Sequence, residues 1–210
     1  QHLKPTIPGF HDLANRYNQL EAAVSHASHE RLIKSRALLE KIEARKHLVD
    51  FYIGLKDNHG FRQRAMHHDT KLSNILFDKT SGQAVCPIDL DTVMPGYFFS
   101  DVGDMIRSMV SSHDENALAD SVSVNAETYR AIISGYEAGI GNTFTSTEQE
   151  NIHRSGMMML YMQGIRFLAD YLSNDVYYKI NYPEQNFDRA LNQITLLEKL
   201  EGFVAALPKA

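Results

Sequence analysis

One short stretch in the middle of the chain interrupts an otherwise helical pattern. SNILFD, residues 73–78, is a brief apolar run ending at KTSG, a strong turn signal, and AVCPIDL, residues 84–90, is a second brief apolar run. Together they predict a hairpin, with a strand near 75–78, a turn at 79–83 and a strand near 84–89. Pro87 lacks an amide proton, so the second strand is expected to be short or at an edge. MPG, residues 94–96, is expected to close the segment.

The flanks read as helices. From about Ser28 to Leu55, the residues Leu32, Leu39, Ile42, Val49, Tyr52 and Ile53 recur at helical spacing among charged residues, which predicts one long amphipathic helix. Residues 1–11 carry Pro5, Pro8 and Gly9 and predict an irregular, linker-like opening, and KDNHG, residues 56–60, predicts a turn. DVGDMIRSMVSS opens with Asp101, suited to capping a helix. Residues 126–138 predict a helix stopped by Gly139 and Gly141. TSTEQENI predicts the capped start of another, whose Met158, Tyr161, Met162, Ile165, Leu168 and Leu172 form a stripe suited to filling a core. A last helix is expected over about 184–206, with Phe187, Leu191, Ile194 and Leu197 facing in. The fold class is therefore mostly α with a small β-hairpin.

The chain has 210 residues, 43% of them hydrophobic, enough for a core without disulfides. The single Cys86 reads as a buried structural thiol, and one cysteine fits a cytoplasmic location. A net charge of −5 with no basic stripe argues against nucleic acid. No apolar run is long enough to span a membrane, and no signal peptide is expected. The first residue is Gln1, and the opening reads as a linker entered from something upstream.

The polar residues around the hairpin carry the chemistry. HHDTKLSN, residues 67–74, precedes it, and IDLD, residues 88–91, ends it. Phosphoryl transfer needs a carboxylate to orient a hydroxyl, oxygen ligands for magnesium, and a cation near the developing charge. Asp69 would be the base, Lys71 the cation, and Asn74 and Asp89 the metal ligands. H-x-D-x-K-x-x-N followed by an Asp at the next strand end has the order of a kinase catalytic loop. Two other readings stay open. One is a metal-dependent hydrolase using His67, His68, Asp69, Asp89 and Asp91, with His113 or His153 as a further ligand. The other is a solvated turn without chemistry.

These residues carry a resemblance. His67 to Asn74 resembles the catalytic loop of the aminoglycoside phosphotransferase-like (choline kinase-type) small-molecule kinases, and IDLD resembles their metal-binding strand end. IDLDTVMPG, SDVGDMIRS and GIRFLADYLSNDVYYK look most like the N-acetylhexosamine 1-kinase branch. The resemblance runs from about Phe10 onward. It implies that Asp69 is the general base and that Asn74 and Asp89 hold magnesium, with Asp91 at a second metal or a sugar hydroxyl. It implies that His67 packs beneath the loop and that Asp101 accepts the loop's backbone N–H groups. Asp104 and Arg107 would continue that support, and Arg166 would bind the sugar. The cofactors implied are ATP and Mg2+, and the product is a sugar 1-phosphate from GlcNAc or GalNAc. Aminoglycoside, choline or homoserine-type acceptors are the alternatives within the superfamily.

The family also has an N-terminal lobe with a sheet, a phosphate-covering loop and an ATP-contacting Lys. The residues before the catalytic loop show no glycine-rich strand-turn-strand. The expectation is therefore a C-terminal lobe only, a poor catalyst alone, whose missing N-terminal lobe belongs to the same parent chain. Within it, residues 1–60 would be linker and long helix, 61–96 catalytic loop and hairpin, and 97–210 a helical subdomain.

Overall fold

The computed structural model describes residues 3–208, so the linker reading of residues 1 and 2 lies outside the described residues. In chain order the elements are α1 (Leu13–His26), α2 (His29–Glu43), α3 (His47–Leu55), β1 (Arg64–Met66), β2 (Ile75–Phe77), β3 (Ala84–Pro87) and β4 (Met94–Gly96). There follow α4 (Phe99–Met109), α5 (Ala126–Ile140), α6 (Ser146–Glu150), α7 (Arg154–Leu172) and α8 (Gln185–Ala205). Mostly helical with a small antiparallel hairpin, this is the arrangement expected of a kinase-like C-terminal lobe.

The helices assemble around α7. Met158, Met159, Leu160, Tyr161, Met162, Ile165, Phe167 and Leu168 are all buried, so apolar residues lie on every side of the helix. Such a helix is stable only in a core, and each fully buried side chain contributes about 1.5–3 kcal/mol. Helices α1, α2, α3, α4 and α8 all pack on it. Helix α4 approaches closely: a Cβ on Gly103 would stand 2.5 Å from the Ser155 carbonyl oxygen, so only glycine permits this approach. No helix among the described residues is long and apolar enough to cross a membrane.

Several expectations are corrected. Residues 13–26 are helix, capped by Asp12, which accepts from the Asn15 N–H, and they bury Leu13, Tyr17, Leu20 and Ala23. Polar Asn, Gln and Arg between these positions hid the period. The long helix over 28–55 is two helices broken at residues 44–46. The break resets the buried face to Leu48, Val49, Tyr52 and Leu55, and it leaves Ile53 half exposed. Thr145 and Glu148 form the expected capping box, but α6 stops after five residues and the Met-rich α7 starts anew at Arg154. Asp101 lies inside the first turn of α4 rather than capping it.

The hairpin pairs Ile75 with Pro87 and Leu76 with Cys86, and Asp78 Oδ1 ties its turn by accepting from the Thr80 and Ser81 N–H groups. Nothing among the described residues covers either face. Cys86 is therefore exposed, not buried, and Val85 and Phe77 stay largely in water beside it. MPG is itself a strand: β4 pairs antiparallel with β1, Arg64 opposite Gly96 and Met66 opposite Met94. The chain thus leaves the β1–β4 ladder at Met66, runs through the polar loop and the hairpin, and returns to the same ladder at Met94.

Candidate functional site

The closed excursion from Met66 to Met94 is held by its own backbone, by the Asp101 carboxylate and by the side chains of His67, Thr70 and Thr92. Asp101, buried at the start of α4, accepts the His67 N–H on Oδ2 at 3.0 Å and the His68 N–H on Oδ1 at 2.8 Å. Burial pushes the Asp101 carboxyl above its usual range, and the two N–H donors oppose that shift. Between these donors His68 takes φ 66°, in the left-handed region. The Thr70 hydroxyl donates to the Asp101 carbonyl, fixing the next residue as well.

His67 joins the two ends of the hairpin. Its Nε2 donates to the Ile88 carbonyl at 2.9 Å, and its Nδ1 accepts the Asp69 N–H at 3.3 Å. The Thr92 hydroxyl donates to the His67 carbonyl, and the Ile88 N–H donates to the Asn74 carbonyl at 2.8 Å. Asn74 and the segment leading to Asp89 are therefore adjacent in space.

Asp69 stands at the loop's apex beside a cavity of about 600 Å³. Its Oδ2 accepts from Lys71 Nζ and from Asn74 Nδ2, each at 2.8 Å. No hydrogen bond is made to Oδ1 among the described residues, so Oδ1 is the oxygen that can take a proton from an incoming group. Asn74 Nδ2 also donates to the Asp69 carbonyl, which leaves the amide oxygen uncommitted. Asp89 and Asp91 are exposed carboxylates at the other end of the hairpin, so what these three residues could offer a cation is oxygen alone. That set fits a hard cation such as magnesium, which takes one or two carboxylates and completes its shell with phosphate oxygens and water. It suits zinc, copper or nickel poorly, since these favour imidazole or thiolate. Both ring nitrogens of His67 are engaged with backbone, and no group of three or more His, Cys, Asp or Glu among the described residues forms a cation site. The hydrolase reading thereby loses a ligand it needs.

The cavity is lined by residues from well-separated parts of the chain. Asp69, Lys71, Asp104, Arg107, Gln163 and Arg166 all face it. Arg107 bonds Asp104 Oδ1 through Nε at 2.9 Å and Glu115 through Nη1 at 3.1 Å. Burial alone would lower the guanidinium pKa, but the two carboxylates outweigh it and hold the pKa above its ordinary value. Arg166 bonds Gln163 Oε1 at 2.9 Å. It does not pair with Asp170, whose oxygens accept the Tyr177 N–H, the Tyr178 N–H and Asn186 Nδ2.

Sequence reasoning missed part of this wall. Phe10 and His11 come from the opening read as linker, yet they line the cavity. His11 and His68 both bond the Ser100 hydroxyl through Nδ1, His68 at 2.5 Å. A hydroxyl has one proton, so at least one of the two imidazoles donates to Ser100. Burial, then repulsion from each other and nearby arginines, pushes the His11 pKa well down, and burial lowers that of His68. Ser100 and Tyr178 lie within two of the strings quoted above and Gln163 just before one, but nothing in their spacing marks them for this wall; Ser100 comes from α4, Gln163 from α7 and Tyr178 from the segment after α7.

The arrangement can position a hydroxyl against Asp69 with a hard cation beside it, which is the minimum for phosphoryl transfer. A profile described as the phosphotransferase enzyme family matches residues 2–134, more than half of the chain and all of the loop, hairpin and α4.

Proposed function

The chain belongs to the phosphotransferase enzyme family, and from that premise we propose that it serves ATP-dependent phosphorylation of a small-molecule hydroxyl, O1 of an N-acetylhexosamine. The observation that carries the reading is the Asp69 carboxylate, fixed on one oxygen by Lys71 and Asn74 and open on the other toward a polar cavity. Asp69 Oδ1 accepts the acceptor's hydroxyl hydrogen and withdraws the proton as the phosphoryl group arrives. Asn74 and Asp89 hold the metal, with Asp91 either assisting them or bonding the acceptor. Bound magnesium neutralises phosphate charge. Lys71, half-exposed and now paired with Asp69, sits where it can turn to a phosphate oxygen. His67, Asp101 and Asp104 keep the loop in shape.

The acceptor class follows from the lining. Lys71, Arg107 and Arg166 face it together with Asp69, Asp104, Asp114 and Glu115, and Lys71 and Arg107 are already paired. That near-balance does not favour a polycationic aminoglycoside. The amides of Gln163, Asn116 and Gln193, with Arg166 and Tyr178, suit a neutral sugar with an acetamido group. On this reading an N-terminal lobe of the same parent chain completes the nucleotide cleft over the exposed hairpin. A cytoplasmic location with abundant ATP goes with it.

The test is ADP release from Mg-ATP by the 210-residue chain and by the longer parent chain. Acceptors are GlcNAc, GalNAc, choline, homoserine and an aminoglycoside. Turnover of the two hexosamines by the parent chain, reduced about 10²–10⁴-fold in its Asp69→Asn variant and weak or absent in the 210-residue chain, is expected. Undiminished turnover in Asp69→Asn, or turnover only with another acceptor, would overturn the assignment of base or of substrate.

A further inference from the structure

Four partly buried arginines have carboxylate partners: Arg31 with Asp175, Arg45 with Glu198 and Glu201, Arg64 with Glu148, and Arg107 with Asp104 and Glu115. Three others have none; one of them, Arg189, spends its donors on Asn116 Oδ1, Asn186 Oδ1 and the Lys179 carbonyl. The other two, Arg16 on α1 and Arg166 on α7, form no salt bridge among the described residues, and both meet Phe10. Arg16 Nη2 donates to the Phe10 carbonyl at 3.1 Å, and the Arg166 guanidinium carbon sits 5.9 Å over the Phe10 ring. Their other hydrogen bonds go to neutral Gln19 and Gln163, and Arg16 Nε is buried with no partner. Burial, then repulsion by Arg166, lowers the Arg16 pKa.

Both arginines line a second cavity of about 590 Å³ on the far side of Arg166, with Tyr177, Tyr178, Ser173 and His26. The acidic groups nearby are already committed. Asp170 accepts three N–H donors, and Asp12 is held by Lys56 at 3.5 Å and by the Asn15 N–H. Asp170 is the one carboxylate on this wall, set against two guanidinium charges with unused N–H donors and no salt bridge, and an anion from outside balances the remaining charge. Guanidinium forks match the planar or tetrahedral oxygens of carboxylate and phosphate.

We propose that Arg16 and Arg166 form a binding site for a small oxyanion, the phosphate or carboxylate group of a metabolite, separate from the cavity that Asp69 faces. Arg166 belongs to both walls, so the bound anion fixes its guanidinium on the edge of the acceptor cavity.

The site is tested by titrating the chain with inorganic phosphate at constant ionic strength, reading heat of binding and thermal midpoint. Saturable binding is expected, with affinity lowered about tenfold or more in Arg16→Gln and in Arg166→Gln, the loss of charge-assisted hydrogen bonds. It is expected to be unchanged in Arg36→Gln, whose guanidinium lines a separate groove between α1 and α2. Glycerol phosphate against succinate tells the two sources apart: the tighter ligand names the group. Free Arg16→Gln is expected to melt no lower than the parent, because it relieves the repulsion. Arg16→Lys, which keeps the charge and loses the fork, replaces it if the Gln variant does not fold. No saturable binding of phosphate or succinate, or equal binding by all variants, would overturn the site.

Discussion

Asp101→Asn changes one buried atom and tests how far a single carboxylate holds the loop over residues 67–74. Asp101 accepts one loop N–H on each oxygen, at 3.0 and 2.8 Å. In the Asn variant one oxygen becomes an NH2 group facing an N–H, so one charge-assisted bond is lost and a buried donor is left without an acceptor. The bond is worth about 1.5–3 kcal/mol, and the orphaned donor adds about 1–3 kcal/mol, although local relaxation recovers part of this. Loss of negative charge in the first turn of α4 adds about 0.3–1 kcal/mol. Relief of the burial that raises the Asp101 pKa works the other way. The net expectation is a loss of about 2–4 kcal/mol, a large part of a typical domain's stability of about 5–15 kcal/mol. Urea denaturation measures it as a lower midpoint at unchanged slope. A loss under about 1 kcal/mol would refute the reasoning, because the loop would then be held by its other contacts.

Gly96→Ala is expected to cost about 1–3 kcal/mol, because the new Cβ would stand 2.5 Å from His68 Cε1 and 2.8 Å from its Nε2. Gly54→Ala, with nothing within 4 Å, is expected to gain up to about 1 kcal/mol; thermal midpoints compare the two. Glu148→Gln leaves Arg64 without its buried partner and is expected to cost about 3–5 kcal/mol by urea denaturation. Stability is expected to fall as pH drops through 6.5, the ordinary histidine value, because His11 and His68 have lowered pKa values and stay neutral when folded while the unfolded chain takes up protons. Urea midpoints between about pH 8 and 5.5 follow this loss, and His11→Gln should flatten it.

Much of the site was legible because its residues are close in sequence. Asp69, Lys71, Asn74 and Asp89 fall within one loop and one hairpin, and turn chemistry at Asp78 fixes that hairpin locally. The hidden half is set by packing. Phe10 and His11 stand in a Pro- and Gly-containing stretch with no period of its own, and only the docking of α1 on α7 brings them to the cavity. The same physics misplaced Cys86. Burial statistics for its residue type carry no information about whether a third layer covers a two-stranded hairpin. Pro95 concealed β4, since a proline is a poor sign of a strand unless, as here, the ladder is only two strands wide.

The uncovered hairpin has a consequence for motion. Leu72, Leu76, Phe77, Val85 and Leu90 remain about half or more exposed, so folding the hairpin removes little apolar surface from water. Its order rests on a few hydrogen bonds at its two ends. It should therefore be among the first segments to exchange amide hydrogens by local opening, long before α7 does. Whatever molecule or segment lies over those side chains would slow that exchange, and Asn74 and Asp89, one at each base of the hairpin, would then be held still by the same event.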